Sequence, residues 1–291
     1  MKRHFFLVLF LFILTKLSAQ TSYSGYIDKY PIEMVTYSYS DGVVRAFYVY
    51  TNYDTPIKSD GHFKNNILTL EEKDNSEKTK ATLVFKNYKA EATNLEGIWK
   101  DNKTNKELKI NLIKTTDIDY GESIEWPDKE LLQCASMKDK YFKIVISKTK
   151  EDFFGKVTGV KIFEKKTDKL LQELKMDCQL WSIHNIDVDD YNFDGFEDFS
   201  VFESSYAGPN TSSLYFLFDP KTGKYFKSTF EGTSLEFDKS KKRIYESNQC
   251  CAGRYSSQTE YKVVNNKMVL IKKTCYEYNE KTEDLEKVKC E

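Results

Sequence analysis

The chain contains, from Trp181 to Phe202, the stretch Trp-Ser-Ile-His-Asn-Ile-Asp-Val-Asp-Asp-Tyr-Asn-Phe-Asp-Gly-Phe-Glu-Asp-Phe-Ser-Val-Phe. At its centre, every second residue from Asp190 to Asp194 carries a side-chain oxygen, and Gly195 follows where a left-handed bend is needed. Calcium takes oxygen ligands, and alternate side chains of a tight loop can point at one centre. The spacing therefore predicts a calcium loop whose ligands are Asp190, Asn192, Asp194, Asp198 and the carbonyl of Phe196.

The residues on both sides of this loop predict strands. An EF-hand would need flanking helices and a bidentate Glu at its twelfth position, but that position, counted from Asp190, is Val201. Segments 181–186 and 199–202 are instead rich in aromatic and branched residues, which favour strands. We therefore expect a strand-loop-strand calcium site. The alternative is a turn that binds no metal, because Asp and Asn are favoured in turns anyway.

The first twenty residues have the pattern of a secretory signal peptide. Basic residues at the start precede an unbroken apolar run at 5–14, which is too short to span a bilayer. A small-residue region, Leu17-Ser-Ala-Gln20, follows as the cleavage site. No later segment is apolar enough for a membrane helix. We therefore expect an exported protein, periplasmic or extracellular, without membrane insertion after signal cleavage.

Charge and composition argue against a nucleic-acid partner. Loss of residues 1–20 would change the formal net charge from −1 to about −4, with both signs interspersed. A nucleic-acid surface would need a basic stripe with aromatic residues between the cations, whereas Lys and Glu alternate along the surface segments.

Short hairpins dominate the remaining pattern and predict a mostly β fold. Asp41-Gly42 is a strong hairpin signal between 34–40 and 43–50, and a two-residue turn there would set Val35 opposite Tyr48. Further strands are expected at 67–71, 81–88, 97–100 and 107–113. We expect an N-terminal antiparallel meander closing into a barrel over 21–115, after a signal peptide at 1–20.

The second half predicts another antiparallel β domain. Pro127 followed by 128–134 predicts a short helix in a linker at 116–138. From 139 to 291 the hairpins return, with Asn265-Asn266 as one tight turn, and 170–174 is expected to be a strand. Two similar turns, at 218–225 and 237–245, fit stacked hairpins, a sandwich or propeller-like blades.

All six cysteines lie between Cys134 and Cys290, and in an exported protein an even number predicts disulfides. In an extended strand, Cys250 and Cys251 would point to opposite faces and bond to different partners. We expect one of them to bond to Cys275 or Cys290. Zinc is the disfavoured alternative, because no Cys-x-x-Cys pair exists.

Two resemblances add to these expectations. The segments Tyr26-Ile-Asp-Lys-Tyr-Pro-Ile32 and Leu95-Glu-Gly-Ile-Trp99 resemble lipocalin-like or avidin-like β-barrels of exported bacterial proteins. Segments 186–199, 208–210 and 215–220 resemble exported bacterial β proteins that carry one calcium loop. Some members of that second group are periplasmic immunity proteins that inhibit peptidoglycan-degrading effectors. The resemblance implies calcium ligation by the loop residues named above and a protein partner in the cell envelope.

One departure from the lysozyme-inhibitor families weakens the inhibitor interpretation. Those families insert a Ser-Gly-x-x-Tyr loop, which Ser212-Ser-Leu-Tyr215 does not reproduce. The loop after the predicted calcium site, with Tyr206, Pro209 and Asn210, is the candidate partner surface, and an ordinary connection between strands is the alternative.

Nucleophilic catalysis has little support in the sequence. It needs a proton-carrying histidine, and beyond the signal peptide only His62, in a predicted turn, and His184 are available. The sequence therefore favours a non-catalytic binding protein, with an inhibitor or immunity protein against a cell-wall hydrolase as its specific form. The alternative is a glycan-binding module or a glycan-active hydrolase that uses paired carboxylates.

Overall fold

A computed structural model describes residues 20–290, except 75, 90–91, 119–123 and 182. The expected signal peptide lies outside the described residues, apart from Gln20. The fold is nearly all antiparallel β, as the hairpin pattern predicted. No helix in this part of the chain is long and apolar enough to cross a membrane.

The first eight strands form a closed barrel in sequence order, with the first strand paired to the eighth. They are β1 (Gln20–Ile27), β2 (Tyr30–Ser38), β3 (Val43–Tyr50), β4 (Ile57–Lys64), β5 (Ile67–Lys73), β6 (Thr79–Lys86), β7 (Asn94–Asp101) and β8 (Glu107–Ile118). The expected boundary at 115 thus falls inside β8.

Three further meanders of consecutive antiparallel strands follow the barrel. The first sheet contains β9 (Trp126–Ser136), β10 (Lys140–Lys148), β11 (Lys156–Glu164) and β12 (Leu170–Gln179). The second contains β13 (Ile186–Asp189), β14 (Asp198–Ser205), β15 (Thr211–Asp219) and β16 (Lys224–Lys227). The third contains β17 (Leu235–Asp238), β18 (Arg243–Cys250), β19 (Tyr255–Val264), β20 (Lys267–Asn279) and β21 (Asp284–Val288), with a 3₁₀ turn at Cys251–Gly253.

The helix predicted at 128–134 is wrong, because these residues lie in β9. The sequence after Pro127 allowed a helix start, but Leu131 and Leu132 are both buried, and β9 completes the edge of a sheet by pairing with β10. Tertiary burial outweighs the local signal. Most of the described part of the expected linker at 116–138 is therefore strand.

The first hairpin has the predicted strands but a different register. Gly42, at φ 87°, donates its N–H to the carbonyl of Tyr39, so the turn is one residue longer than a two-residue Asp-Gly turn. Val35 consequently pairs with Phe47, and the predicted pairing with Tyr48 is wrong. A one-residue slip exchanges the two faces of a strand. The Asn265-Asn266 turn is confirmed, with both residues at positive φ.

Three apolar clusters stabilise the molecule. The barrel interior holds one of them, which includes Tyr23, Tyr48 and Phe85. A larger cluster joins Val35 and Phe47 of the barrel to residues of the first and second sheets. A third cluster, around Tyr215 and Ile244, packs the second sheet on the third. The first two clusters use opposite faces of β2 and β3, so the barrel is packed on both its inner and outer surfaces there.

A buried carboxylate lies inside the barrel. The Oε1 atom of Glu72 accepts hydrogen bonds from the hydroxyl of Tyr48 and the indole N–H of Trp99, both at 2.6 Å. Trp99 packs against the interior cluster, as expected for a core residue. Charge-assisted hydrogen bonds of this kind offset the cost of burying a charged group.

One disulfide joins Cys275, in β20, to Cys290. The β20–β21 hairpin pairs Cys275 with Val288 and so brings Cys290 beside it. The expected bond from Cys250 or Cys251 to one of these residues is therefore wrong, because the two hairpin cysteines are already joined to each other. Cys250 and Cys251 are exposed free thiols. Burial raises the pKa of the other two thiols, to about 11 for Cys134 and about 12 for Cys178.

Candidate metal loop and partner surface

The predicted calcium loop connects two paired strands of the second sheet. Asp189, at the end of β13, lies opposite Asp198, at the start of β14, and residues 190–197 form the connection. Strands flank the loop as expected, but β13 is Ile186–Asp189, and of the described residues of segment 181–186 only Ile186 belongs to it. Gly195 is at φ 93°, and nothing lies within 4 Å of a Cβ built there, so backbone conformation rather than space requires the glycine.

The side chains of the loop fold inward onto its own backbone. The carboxylate of Asp190 accepts the N–H groups of Asp194 at 3.0 Å and of Gly195 at 2.9 Å. Asn192 Oδ1 also accepts the N–H of Asp194, at 3.1 Å. Asp194 Oδ1 in turn accepts the N–H of Phe196 at 2.9 Å. These bonds direct oxygens of the three alternate side chains at N–H groups of the loop itself.

Asp198 is the structural centre of the site. Its side chain is fully buried, and its two oxygens accept the N–H of Tyr191 at 3.0 Å and the N–H of Phe218 at 2.8 Å. Burial raises the pKa of this carboxyl to about 7, although the hydrogen bonds from Phe218 and Tyr191 act in the opposite direction. Asp198 thus ties the beginning of the loop to the end of β15.

The donor set suits a hard cation, but carboxylates alone do not enclose one. In residues 20–290, leaving out the undescribed positions, no three His, Cys, Asp or Glu side chains converge as a metal group. A cation would therefore need the amide oxygen of Asn192 and backbone oxygens, such as that of Phe196, to complete its shell. Oxygen-only ligation of this kind is typical of calcium and magnesium. The Phe196 side chain itself points outward and is 43% exposed.

The third sheet braces the loop through contacts that no local sequence pattern predicts. Asn192 Nδ2 donates to Asn266 Oδ1 at 3.0 Å, and Lys242 Nζ donates to the carbonyl of Phe193 at 3.3 Å. Lys239 forms an ion pair with Asp189. These contacts come from the turns at 239–242 and 265–266. The Asn-Asn pair was recognised as a turn, but no local signal indicates what that turn touches.

The candidate partner loop follows β14 and is pinned at both ends. Asn210 is only 9% exposed, and its amide donates to the carbonyl of Gln249 at 2.6 Å while accepting the N–H of Gln249 at 3.2 Å. Ser234 Oγ contacts the carbonyl of Pro209 at 3.4 Å. Tyr206 is 53% exposed, and its hydroxyl lies 3.1 Å from Ser212 Oγ. Asn210 therefore acts as an internal clamp, and Tyr206 is the large aromatic side chain among the exposed residues 206–209.

The histidines and carboxylates can be compared with the catalytic alternatives. His62 lies in β4 and not in the predicted turn. Within the described residues, neither it nor His184 is hydrogen-bonded to a serine or a carboxylate. Four carboxylates, from Glu33, Asp54, Glu130 and Asp168, line a cavity of about 200 Å³ between the barrel and the first sheet. Ligand sites usually measure roughly 300–1,000 Å³, so this cavity is small for a glycan, whereas an open cavity of about 850 Å³ on the barrel, with Glu96 and Glu107 in its lining, falls within that range.

Comparison with known proteins adds little about function. No protein-family model and no curated protein matches the chain. Among solved structures, a Xanthomonas Type IV Secretion System related protein is similar over 93% of this chain and 99% of its own, at 11% identity and a TM-score of 0.27. The β-propeller domain of the Trilobed protease from Pyrococcus furiosus is similar over 93% of this chain and 84% of its own, at 12% identity and a TM-score of 0.24. Likenesses at these scores carry no argument about fold or function.

Proposed function

We propose that this protein is an exported calcium-binding protein that acts by binding a protein partner in the cell envelope and not by catalysis. A peptidoglycan-degrading hydrolase is the candidate partner. The observation that carries the proposal is the loop from Asp190 to Asp198, in which oxygen-bearing side chains turn inward and a buried carboxylate joins the loop to β15. A cation held there would rigidify the junction between the second and third sheets.

The arrangement beyond the loop supports a binding role. The same strand that begins at Asp198 leads into the connection that presents Tyr206. Ser205, at its end, donates its N–H to Gln179 Oε1 at 3.3 Å, so β12 also supports this connection. Nearby in the fold, Trp181 is 47% exposed and lies over Phe202, with ring centroids 4.9 Å apart. Exposed aromatic side chains on a rigid support are typical anchors of protein interfaces.

Calcium is expected to raise the melting temperature of the protein, and Asp194→Ala to abolish the rise. Extracellular calcium modules bind at about 10⁻⁴–10⁻³ M, so a calorimetric titration should extend to roughly tenfold above that range. At tenfold excess over the dissociation constant, linkage gives about 1.4 kcal/mol, or roughly 2–3 °C for a chain of this size.

Asp101→Ala is the matched control for that titration. Asp101 also holds a turn by accepting the N–H groups of Lys103 and Thr104, but it lies in the barrel. The control variant should keep the calcium response. An equal calcium response in wild type and Asp194→Ala would remove the loop from the proposal.

The partner hypothesis predicts inhibition of a cell-wall hydrolase. The purified protein is incubated with peptidoglycan, alone and with a lysozyme-type hydrolase, and the release of soluble fragments is measured. We expect no release by the protein itself, reduced release by the hydrolase, and weaker inhibition by Tyr206→Ala. Fragment release by the protein alone would instead support the glycan-active alternative. An unaffected hydrolase, with the protein retained on peptidoglycan, would support the glycan-binding module.

A further inference from the structure

Two cysteines with no assigned role meet at the end of β18. The sulfur atoms of Cys250 and Cys251 lie 2.8 Å apart, and both residues are exposed. This separation is shorter than an ordinary contact between unbonded sulfurs. A bond at about 2.05 Å would require the atoms to approach by only about 0.8 Å.

The backbone explains why neighbouring side chains point the same way. Cys250 is extended, at φ −131°, but Cys251 and Ala252 follow at φ 58° and 55°. Two successive residues other than glycine at positive φ are uncommon. The strand ends here, so the alternation that would separate the two sulfurs does not apply, and the turn brings both to one side.

We propose that Cys250 and Cys251 are a redox-active pair that is oxidised to a disulfide between adjacent residues by a low-molecular-weight or protein disulfide. The thiolate of one cysteine attacks the donor disulfide, forms a mixed disulfide and releases one donor thiolate. The thiolate of the other cysteine then attacks its neighbour's sulfur and releases the second donor thiolate. The protein loses two electrons and two protons, and the donor gains them as two thiols.

The surroundings of the pair leave this chemistry accessible. Cys250 and the Cys275–Cys290 disulfide line the same open cavity, of about 470 Å³. Cys178 is buried and Cys134 is half-buried, whereas Cys250 and Cys251 are both exposed. The hydrogen bond between Cys250 and Cys251 raises the pKa of Cys250 as well, so exposure and not a larger thiolate fraction distinguishes this pair. The pair at 250–251 is therefore the exchange site that the free cysteines of the fold provide.

Oxidation of this pair acts on the connection that presents Tyr206. Asn210 clamps that connection to the backbone of Gln249, the residue directly before the pair. A disulfide would fix the turn that ends β18 and with it the anchor of Asn210. The free thiols already occupy this turn, so the bond would lock a conformation that the reduced pair adopts without a covalent tie. The redox state of the thiols is thus coupled to the order of residues 206–210.

Peptide mapping tests the pair directly. Trypsin cleaves after Arg243 and Arg254 and releases residues 244–254, which contain only these two cysteines. The folded protein is treated with oxidised glutathione or with dithiothreitol, alkylated with iodoacetamide and digested. The mass of the peptide 244–254 is then measured by mass spectrometry. After oxidation we expect the peptide to be two hydrogen masses lighter than the dithiol and unalkylated. After reduction we expect two alkyl groups.

Single substitutions supply the matched controls. Cys251→Ser and Cys250→Ser each remove the resolving thiol, so each variant should retain glutathione on its remaining cysteine. A doubly alkylated wild-type peptide after oxidation would overturn the proposal, as would a peptide linked to Cys275 or Cys290 or one that carries glutathione. Hydrogen exchange at 206–210 should be slower in the oxidised wild type, and equal rates would refute the coupling to this connection.

Discussion

Replacing Phe199 by Ala is expected to lower the free energy of unfolding by about 3–5 kcal/mol, the usual cost of removing a fully buried aromatic ring. Phe199 has no exposed surface and lies at the centre of the second sheet. Its ring stacks on Phe216 with centroids 4.8 Å apart and meets the edge of Tyr225 at 5.1 Å. The cavity left by Ala would border the first and second sheets together, because Phe142 also contacts this ring, at 5.2 Å.

Urea denaturation followed by fluorescence measures this loss. Phe226→Ala, in β16 of the same sheet, is the matched control, because its side chain is 40% exposed. Surface substitutions usually change stability by less than about 0.5 kcal/mol. If both variants had equal midpoints, Phe199 could not occupy the centre of the core.

Asp198→Ala is expected to destabilise the protein by about 2–6 kcal/mol even in a metal chelator, because two N–H donors, one buried and one partly buried, lose their acceptor at about 1–3 kcal/mol each. The donors belong to Tyr191 and Phe218, at opposite sides of the carboxylate. This cost belongs to the scaffold alone. Calcium would add its own contribution on top, so the difference between wild type and variant should grow when calcium replaces the chelator.

Asp198→Asn separates the two roles of this side chain. The amide keeps one acceptor oxygen, so in chelator its destabilisation should lie between wild type and Asp198→Ala. Thermal unfolding of one set of samples, with and without calcium, measures both the stability of the scaffold and the contribution of calcium. If the Asp198→Ala variant were as stable as the wild type in chelator, the hydrogen bonds from Tyr191 and Phe218 would contribute nothing to stability.

The sequence predicted much of the fold because the hairpin signals are local. Most strands were found, and the Asn265-Asn266 turn has the expected backbone conformation. The predicted register of the hairpin at Asp41-Gly42 is wrong because a turn longer by one residue shifts every pair. Apolar residues occupy both faces of β2 and β3, so the hydrophobic pattern does not distinguish the two registers. The strand β9 was missed for a related reason. The backbone hydrogen bonds of β9 are made with β10, and the local propensity of residues 126–136 does not indicate that this partner exists.

The loop could be predicted in position but not in its supports. Spacing identified the residues whose oxygens accept N–H groups of the loop, and the flanking composition predicted a strand on each side, although the first is Ile186–Asp189 and not 181–186. The contacts of Asn192 with Asn266 and of Phe193 with Lys242 join segments about 50–75 residues apart in the chain. Likewise, Asn210 was expected at a partner surface, whereas its amide donates a hydrogen bond to the carbonyl of Gln249. Distant pairings of this kind have no signature in a single sequence.

The outer face of β2 and β3 has a consequence for how the molecule is made. Val35, Phe47 and Val49 lie on that face and are almost fully covered by the cluster that they share with the next sheet. Cleavage of the chain after Ile118 would expose this apolar face on one fragment. It would expose the complementary apolar residues of the later sheets on the other fragment. Because the chain is synthesised from its N-terminus, the eight barrel strands are made first. The outer apolar face of β2 and β3 stays partly exposed until the later segments cover it.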